Sequence, residues 1–210
     1  MVINMLIKTL PVGYLGTNCY VVTDEVSLKC AIIDPGAESN TILNYIESNN
    51  LTNEAIFLTH GHFDHNMALD AVIKATGAPA YINRHDEGIS RKSPLSGTGV
   101  ESKFKYYSEG DVICVGGLEF TVMETPGHSP GSVTLKCGSA LFTGDTLFRE
   151  SCGRTDLGGG DMNLLLKSLK RLSELDGDFE VYPGHEESST LSYERNFNDY
   201  IRFAVSGRLP

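Results

Sequence analysis

At 210 residues, 40% hydrophobic and 21% charged, the chain has an ordinary globular composition and the length for one sizeable domain, expected to span 1–210. A formal net charge of −10 excludes a broad basic face, so nucleic acid is not an expected partner. No apolar run reaches membrane-spanning length, and the stretch at 1–10, interrupted by Asn4, lacks the features of a signal peptide, so a cytoplasmic protein without membrane partner is expected.

Runs 3–10, 19–22 and 30–33 read as strands, rich in β-branched residues and bounded by Gly and Asp-Pro-Gly turns. Residues 41–49 carry apolar side chains at Ile42, Leu43 and Ile46 and predict a helix. A short apolar strand, 55–58, runs straight into His60-Gly-His-Phe-Asp-His65. A helix over 67–76 follows, stopped by Gly77, and then a strand at 79–82. The segment 84–103 is polar, holds Gly97 and Gly99 and shows no periodicity, which predicts a long lid loop that selects substrate. Further strands are expected at 112–115, 118–123, 132–136 and 140–143. Leu164, Leu165, Leu169 and Leu172 recur at helical spacing and predict a core-facing helix over 162–172. A last strand, 179–182, delivers Pro183-Gly184-His185, and a short helix is expected near 189–201. Strands in two groups, each followed by helices, predict a layered α/β protein with two sheets inside and helices outside. The five cysteines (Cys19, Cys30, Cys114, Cys137 and Cys152) are odd in number and form no C-x-x-C pair, which predicts buried free thiols and no disulfide framework.

Three of the six histidines fall within residues 60–65. His128 in Thr-Pro-Gly-His, Asp145 in Phe-Thr-Gly-Asp and His185 in Pro-Gly-His each follow a strand-like run and a glycine, and only His85 stands apart. Imidazole nitrogens and carboxylate oxygens hold zinc, iron or manganese. His60, His62, Asp64, His65, His128, Asp145 and His185 are more donors than one tetrahedral ion uses, whereas two ions require such a set if one donor is shared. A carboxylate bridges and an imidazole does not, so Asp145 is the expected bridge. His60, His62 and His128 then hold one ion, and Asp64, His65 and His185 the other. A set without sulfur points to catalysis over structure. The expected cofactor is two divalent metal ions, zinc foremost, with iron or manganese as alternatives. Such a pair holds a bridging hydroxide near neutral pH and polarises a carbonyl or phosphoryl oxygen. Asp64 is also expected to be catalytic, orienting that hydroxide.

Gly127-His-Ser-Pro-Gly131 matches the serine-hydrolase G-x-S-x-G, with Asp145 and His185 following in triad order. The oxyanion hole there needs the backbone N–H after the serine, and Pro130 has none. The triple glycine at 158–160 lacks the P-loop lysine and reads as a turn.

On these residues the chain resembles the metallo-β-lactamase superfamily and, within it, the glyoxalase II-like hydrolases. The resemblance is carried by Thr59-His-Gly-His-Phe-Asp-His65, Thr125-Pro-Gly-His128, Leu141-Phe-Thr-Gly-Asp-Thr-Leu-Phe148, Gly153-Arg-Thr-Asp156 and Tyr182-Pro-Gly-His185. Gly16-Thr-Asn-Cys-Tyr20 and Ile33-Asp-Pro-Gly36 extend it to most of the chain. It implies a four-layer αββα sandwich, two mixed sheets inside and helices outside, with a dinuclear site at one edge. It also implies hydrolysis of hydroxyacyl thioesters such as S-lactoylglutathione, a small-molecule substrate. Longer glyoxalase II enzymes add a C-terminal helical domain that is not expected within these 210 residues. Asp145 stands where class B1 β-lactamases carry a cysteine, which points away from antibiotic hydrolysis. Asn66-Met67 replaces the usual Gly-containing pair after the histidine cluster. Cys152-Gly-Arg-Thr-Asp156 also resembles the persulfide dioxygenases of the same superfamily, which use one iron, and that oxidoreductase is the alternative function. Arg154 is expected to anchor its own loop, with a substrate contact as the alternative.

Overall fold

Burial along β2 explains how the sheets are layered. The computed structural model describes residues 4–91 and 102–207. Strand β2 (Thr17–Asp24) is buried at every position because both of its faces are covered. Cys19 and Val21 point to one apolar cluster, while Tyr20 and Val22 point to another. Strand β4 (Thr52–Phe57) divides in the same way, with Ile56 on the first side and Ala55 and Phe57 on the second.

The first sheet runs β1 (Met5–Val12), β2, β3 (Lys29–Ile33), β4, β5 (Ala80–Asn83), β6 (Phe104–Tyr107). Its first three strands pair antiparallel, and β3 to β6 pair parallel. The second sheet uses β7 (Val112–Val115), β8 (Leu118–Glu124), β9 (Val133–Cys137), β10 (Ala140–Gly144), β13 (Glu180–Pro183) and β14 (Ser189–Thr190). Its spatial order is β14-β13-β10-β9-β8-β7, and only β10 and β13 run parallel. A hairpin of β11 (Leu147–Phe148) and β12 (Ser151–Cys152) follows β10.

Helices α1 (Ser39–Ser48) and α2 (Leu69–Thr76) bury Ile42, Ile46, Leu69 and Val72 against the outer face of the first sheet. Helices α4 (Met162–Ser173), α5 (Leu191–Phe197) and α6 (Asp199–Ser206) bury Leu165, Leu169, Leu172, Leu191 and Ile201 against Leu141 and Val181 of the second. Helix α3 (Glu87–Ser90) is a single short turn. The result is an αββα sandwich of two mixed sheets. No described helix is long and apolar enough to cross a membrane.

Three expectations are corrected. The helix foreseen near 189–201 is two helices, broken at Asn198, whose Oδ1 accepts from Tyr200 and Ile201 N–H while its Nδ2 donates to Phe148 and Ser151 carbonyls. The side chain competes with the helix for backbone partners and wins. The segment 84–103 is not one long loop: Arg84–Asp86 forms a 3-10 turn, α3 follows, and β6 begins at Phe104. Residues 92–101 of that expected lid lie outside the described residues. Among the leucines of α4, Leu164 lies on the solvent side, 38% exposed. All five cysteines are free; Cys19, Cys30 and Cys137 are buried, Cys152 half-buried and Cys114 exposed.

Between the sheets, the Phe57 ring is fully buried, with its centroid 5.0 Å from Phe120 and 5.6 Å from Tyr81. Phe57→Ala is expected to lower unfolding free energy by about 3–5 kcal/mol in urea titration. A loss below about 1 kcal/mol, the scale of a surface change, would show that this ring does not tie the sheets together.

Candidate metal centre

The strand ends converge at one edge of the sandwich. Segment 59–65 follows β4, His128 follows β8, Asp145 follows β10 and His185 follows β13. Backbone bonds knit the two sheets there: Val133 N–H donates to Thr59 O at 2.9 Å, and Asn18 N–H to Gly184 O at 2.7 Å. The parallel pair β10/β13 brings Gly144 beside Pro183, so Asp145 and His185 emerge together. Gly184 is required by closeness: a Cβ there would overlap Asp145 Oδ1 and stand 2.8 Å from His65 Cε1.

All seven sequence-predicted donors come together. Single donor atoms of His60, His62 and His128 lie within 4.8 Å of one another, as do those of Asp64, His65 and His185. A third group, His60, His65 and Asp145, overlaps both. His62 Nδ1 lies 2.8 Å from His128 Nε2, and His65 Nε2 lies 3.3 Å from His185 Nε2. The Asp145 carboxylate spans the groups, with Oδ1 3.4 Å from His65 Nε2 and Oδ2 3.5 Å from His128 Nε2 and 3.7 Å from His185 Nε2. Asp64 Oδ2 lies 3.3 Å from His185 Nε2.

Residues absent from the predicted set orient these rings. Asp34, buried just after β3 in the left-handed region at φ 51°, accepts from Thr59 N–H at 2.7 Å and Thr59 Oγ1 at 2.6 Å, with Oδ2 also 3.0 Å from His65 Nδ1. Having given its proton to Asp34, Thr59 Oγ1 accepts from His60 Nδ1 at 3.1 Å. One carboxylate therefore turns the Nε2 atoms of both His60 and His65 toward the centre. Backbone carbonyls do the same for two others: Arg154 O lies 2.7 Å from His128 Nδ1, and Leu15 O 3.2 Å from His185 Nδ1. Asn66 Nδ2 donates to Gly61 O and His62 O, each at 3.0 Å, and so braces the turn from below. The only sequence signal for Asp34 was an acidic residue ending an apolar strand in Asp-Pro-Gly, a pattern that reads equally well as a turn.

Electrostatics and satisfaction both fit a cation-binding centre. His60 Nε2 and Asp145 Oδ1 are buried without a hydrogen-bond partner, a condition that costs roughly 1–3 kcal/mol per group unless something coordinates them. Burial, then the neighbouring imidazoles, push His60 well below the usual range and His62 down to about 4, leaving both neutral and able to ligate. Burial also acts against a charged His65, but the carboxylates of Asp145, Asp34 and Asp64 outweigh it and raise this imidazole to about 9. With Nδ1 engaged by Asp34, its Nε2 faces the centre, the position a cation would take. Burial would raise Asp64, yet the hydrogen bond from His185 and the charge on His65 hold it down to about 2. Asp64 is therefore an anion at neutral pH.

Over the centre opens a cleft of about 1120 Å³, floored by His62, Asp64, His128, Asp145 and His185 and walled by Leu15, Phe63, Ile89, Phe148 and Leu157. His85, outside the seven donors, lines this cleft too. Cys152 is also on the wall, its thiol pushed up to about 12 by burial. Arg154 anchors its own loop as expected, its exposed guanidinium paired at the rim with Asp156 through two bonds of 2.6 Å, and its carbonyl also holds His128.

A family model described as the metallo-beta-lactamase superfamily matches residues 12–185. An uncharacterized protein of Aquifex aeolicus is 39% identical, over 97% of this chain and 100% of its own length. A probable metallo-hydrolase of Bacillus subtilis, YqgX, is 35% identical, over 92% and 96%. Among solved structures, the BLEG-1 B3 metallo-beta-lactamase superposes with a TM-score of 0.87 at 33% identity, covering 93% of this chain and 99% of that one. TTHA1623, crystallised in a di-iron-bound form, gives 0.82 at 34%, covering 92% and 100%. ETHE1 from Myxococcus xanthus gives 0.77 at 28%, covering 98% and 92%.

Asp34→Asn replaces an acceptor that three donors share with an amide, and divalent-ion affinity is expected to fall by about 10–100-fold in chelator competition. Unchanged affinity would remove Asp34 from the ring-orienting role. The pH dependence of the metal-free protein follows from His65, whose folded value of about 9 exceeds the ordinary 6.5. Its contribution to stability is complete below 6.5 and is lost as pH rises through about 9. The thermal midpoint of chelator-treated protein is expected to fall across that window, and His65→Gln to flatten the slope; an unaltered slope in that variant refutes the assignment.

Proposed function

The chain belongs to the metallo-beta-lactamase superfamily, and on that footing we propose that it is a dinuclear metal-dependent hydrolase acting on hydroxyacyl thioesters. The observation that carries this reading is the Asp145 carboxylate, set between two donor groups with one buried oxygen otherwise unpartnered.

His60, His62 and His128 would hold one ion, Asp64, His65 and His185 the other, and Asp145 both. A nitrogen-and-oxygen donor set without thiolate suits zinc, and the di-iron form of TTHA1623 makes iron the first alternative to assay. Two divalent cations, when bound, supply Lewis-acid polarisation of an acyl carbonyl and lower the pKa of water toward neutrality. The chain's own residues do the rest. Asp64, kept anionic and facing the cleft, accepts a hydrogen bond from the attacking water and fixes its lone pair toward the carbonyl. Because it holds no proton near pH 7, it serves as an orienting base and not as an acid. Phe63, Ile89 and Leu157 exclude water from the acyl chain and its carrier. A thiol leaving group, with an ordinary pKa near 8.5, departs as thiolate without a proton from the protein. An amide leaving group is far more basic, which favours thioesters over amides here.

The substrate is a small molecule, since a net charge of −10 opposes nucleic acid. The persulfide dioxygenase reading needs one iron, and two separate donor groups, linked through the His60, His65 and Asp145 group, favour the hydrolase over it. The likeness to a B3 metallo-beta-lactamase places β-lactams beside thioesters in the assay panel.

Metal analysis is expected to find two ions per chain, and S-lactoylglutathione to release thiol. Asp145→Ala is expected to lower turnover by at least about 100-fold together with metal content. One iron per chain, with oxygen consumed on addition of glutathione persulfide and no thioester cleavage, would replace this reading with the oxidoreductase.

A further inference from the structure

Ser129, at the centre of the Gly-His-Ser-Pro-Gly run, is fully buried and is no nucleophile. Its hydroxyl donates to Asp86 Oδ2 at 2.6 Å and lies 2.6 Å from Ser132 Oγ, which in turn accepts from Ser129 N–H. This leads to Asp86, a carboxylate with 0% exposure that the proposed chemistry does not use. No ion pair with Asp86 occurs among the described residues. Its partners are neutral donors: Gly61 N–H at 2.8 Å and Ser129 Oγ at 2.6 Å on Oδ2, and Gly131 N–H at 2.6 Å on Oδ1.

Those partners sit at informative places. Gly61 lies between His60 and His62, while Ser129 and Gly131 follow His128 in one tight turn. The carboxylate thus joins the backbones of the two turns that carry the His60–His62–His128 group. It makes no hydrogen bond to the turns carrying Asp145 or His185. The fit is close: a Cβ on Gly131 would stand 2.8 Å from Asp86 Oδ1.

We propose that Asp86 is a positioning residue that clamps the His60–His62 turn to the His128–Gly131 turn and so sets the donor spacing of that group alone. The inference rests on the metal-binding reading above. Asp86→Asn keeps the shape but must point its amide N–H₂ at a backbone donor, either Gly131 N–H or Gly61 N–H, so one turn has to shift. The His62 Nδ1 to His128 Nε2 separation of 2.8 Å then opens.

The experiment isolates each donor group. Metal-free protein is titrated with Zn²⁺ against a chelator in a His185→Ala background, which disables the second group, and in a His128→Ala background, which disables the first. Circular dichroism and the metal-free thermal midpoint report folding independently. Adding Asp86→Asn is expected to weaken Zn²⁺ binding about 10–100-fold in the His185→Ala background and to leave it unchanged in the other. Equal weakening in both backgrounds, or none in either, overturns the clamp. If Asp86→Asn does not fold, Ser129→Ala removes one donor and keeps the carboxylate. It is expected to give a smaller loss with the same selectivity, and a loss without selectivity overturns the proposal. Failure of the unsubstituted protein to take up two Zn²⁺ ions refutes the underlying metal reading. Uptake of two ions with Asp86→Asn indifferent refutes only the clamp.

Discussion

Four of the five imidazoles at this centre face one another because the far nitrogen of each is held by an acceptor outside the donor set. His60 is held by Thr59, His65 by Asp34, His128 by the Arg154 carbonyl and His185 by the Leu15 carbonyl. An imidazole offers one lone pair when neutral, and the tie at Nδ1 decides that Nε2 carries it. Without those ties the rings would rotate to satisfy themselves, and the donor atoms 2.8 and 3.3 Å apart would separate. The architecture at this edge is the set of acceptors that prevents it.

Holding donors in that arrangement has an energetic consequence. Two buried atoms of the centre lack partners, and His65, tied by Asp34 and ringed by carboxylates, is drawn toward its charged form. The metal-free centre is thus frustrated in two opposite senses, with neutral imidazoles that repel added protons beside one that keeps its own. A divalent cation relieves both at once, so ion binding and folding stability are coupled by mass action. Asp34 and Asp86 add negative charge behind the ligands, and both are satisfied by hydrogen bonds so that neither competes as a donor.

The donor atoms were legible in the sequence because their signal is local. His60 to His65 are six consecutive positions, and His128, Asp145 and His185 each follow a strand-like run and a glycine. The layers were legible for a similar reason, since strands covered on both faces read as continuous apolar runs. Most of the ties were not, because their partners are remote; Thr59 alone among the four adjoins the ring it holds. Asp34 acts on residues 25 and 31 positions away, and Asp86 on residues 25, 43 and 45 positions away. Carbonyl ties carry no sequence signal whatever. Residues 84–91 looked irregular because their order comes from one buried carboxylate instead of periodic packing, and β6 was missed because four residues on a sheet edge leave little pattern. The break at Asn198 depends on the β11–β12 hairpin beneath it, which residues 189–206 do not reveal by themselves.

The same segments that orient the ligands also build the cleft, and they divide the two tasks between backbone and side chain. The Leu15 carbonyl holds His185 while the leucine side chain walls the cleft. The Arg154 carbonyl holds His128 while its guanidinium lies at the rim. Asp86 pins the 3-10 turn and α3, which present His85 and Ile89 to the same space. A carbonyl tie survives substitution of the side chain that bears it, provided the backbone path is kept. Substrate-facing positions 15, 85, 89 and 154 can therefore change chemically with little effect on the rings behind them. That separation lets the lining of the cleft vary while the donor arrangement stays fixed. It also explains why the residues that specify the metal centre are so much easier to read from the chain than those that select what enters it.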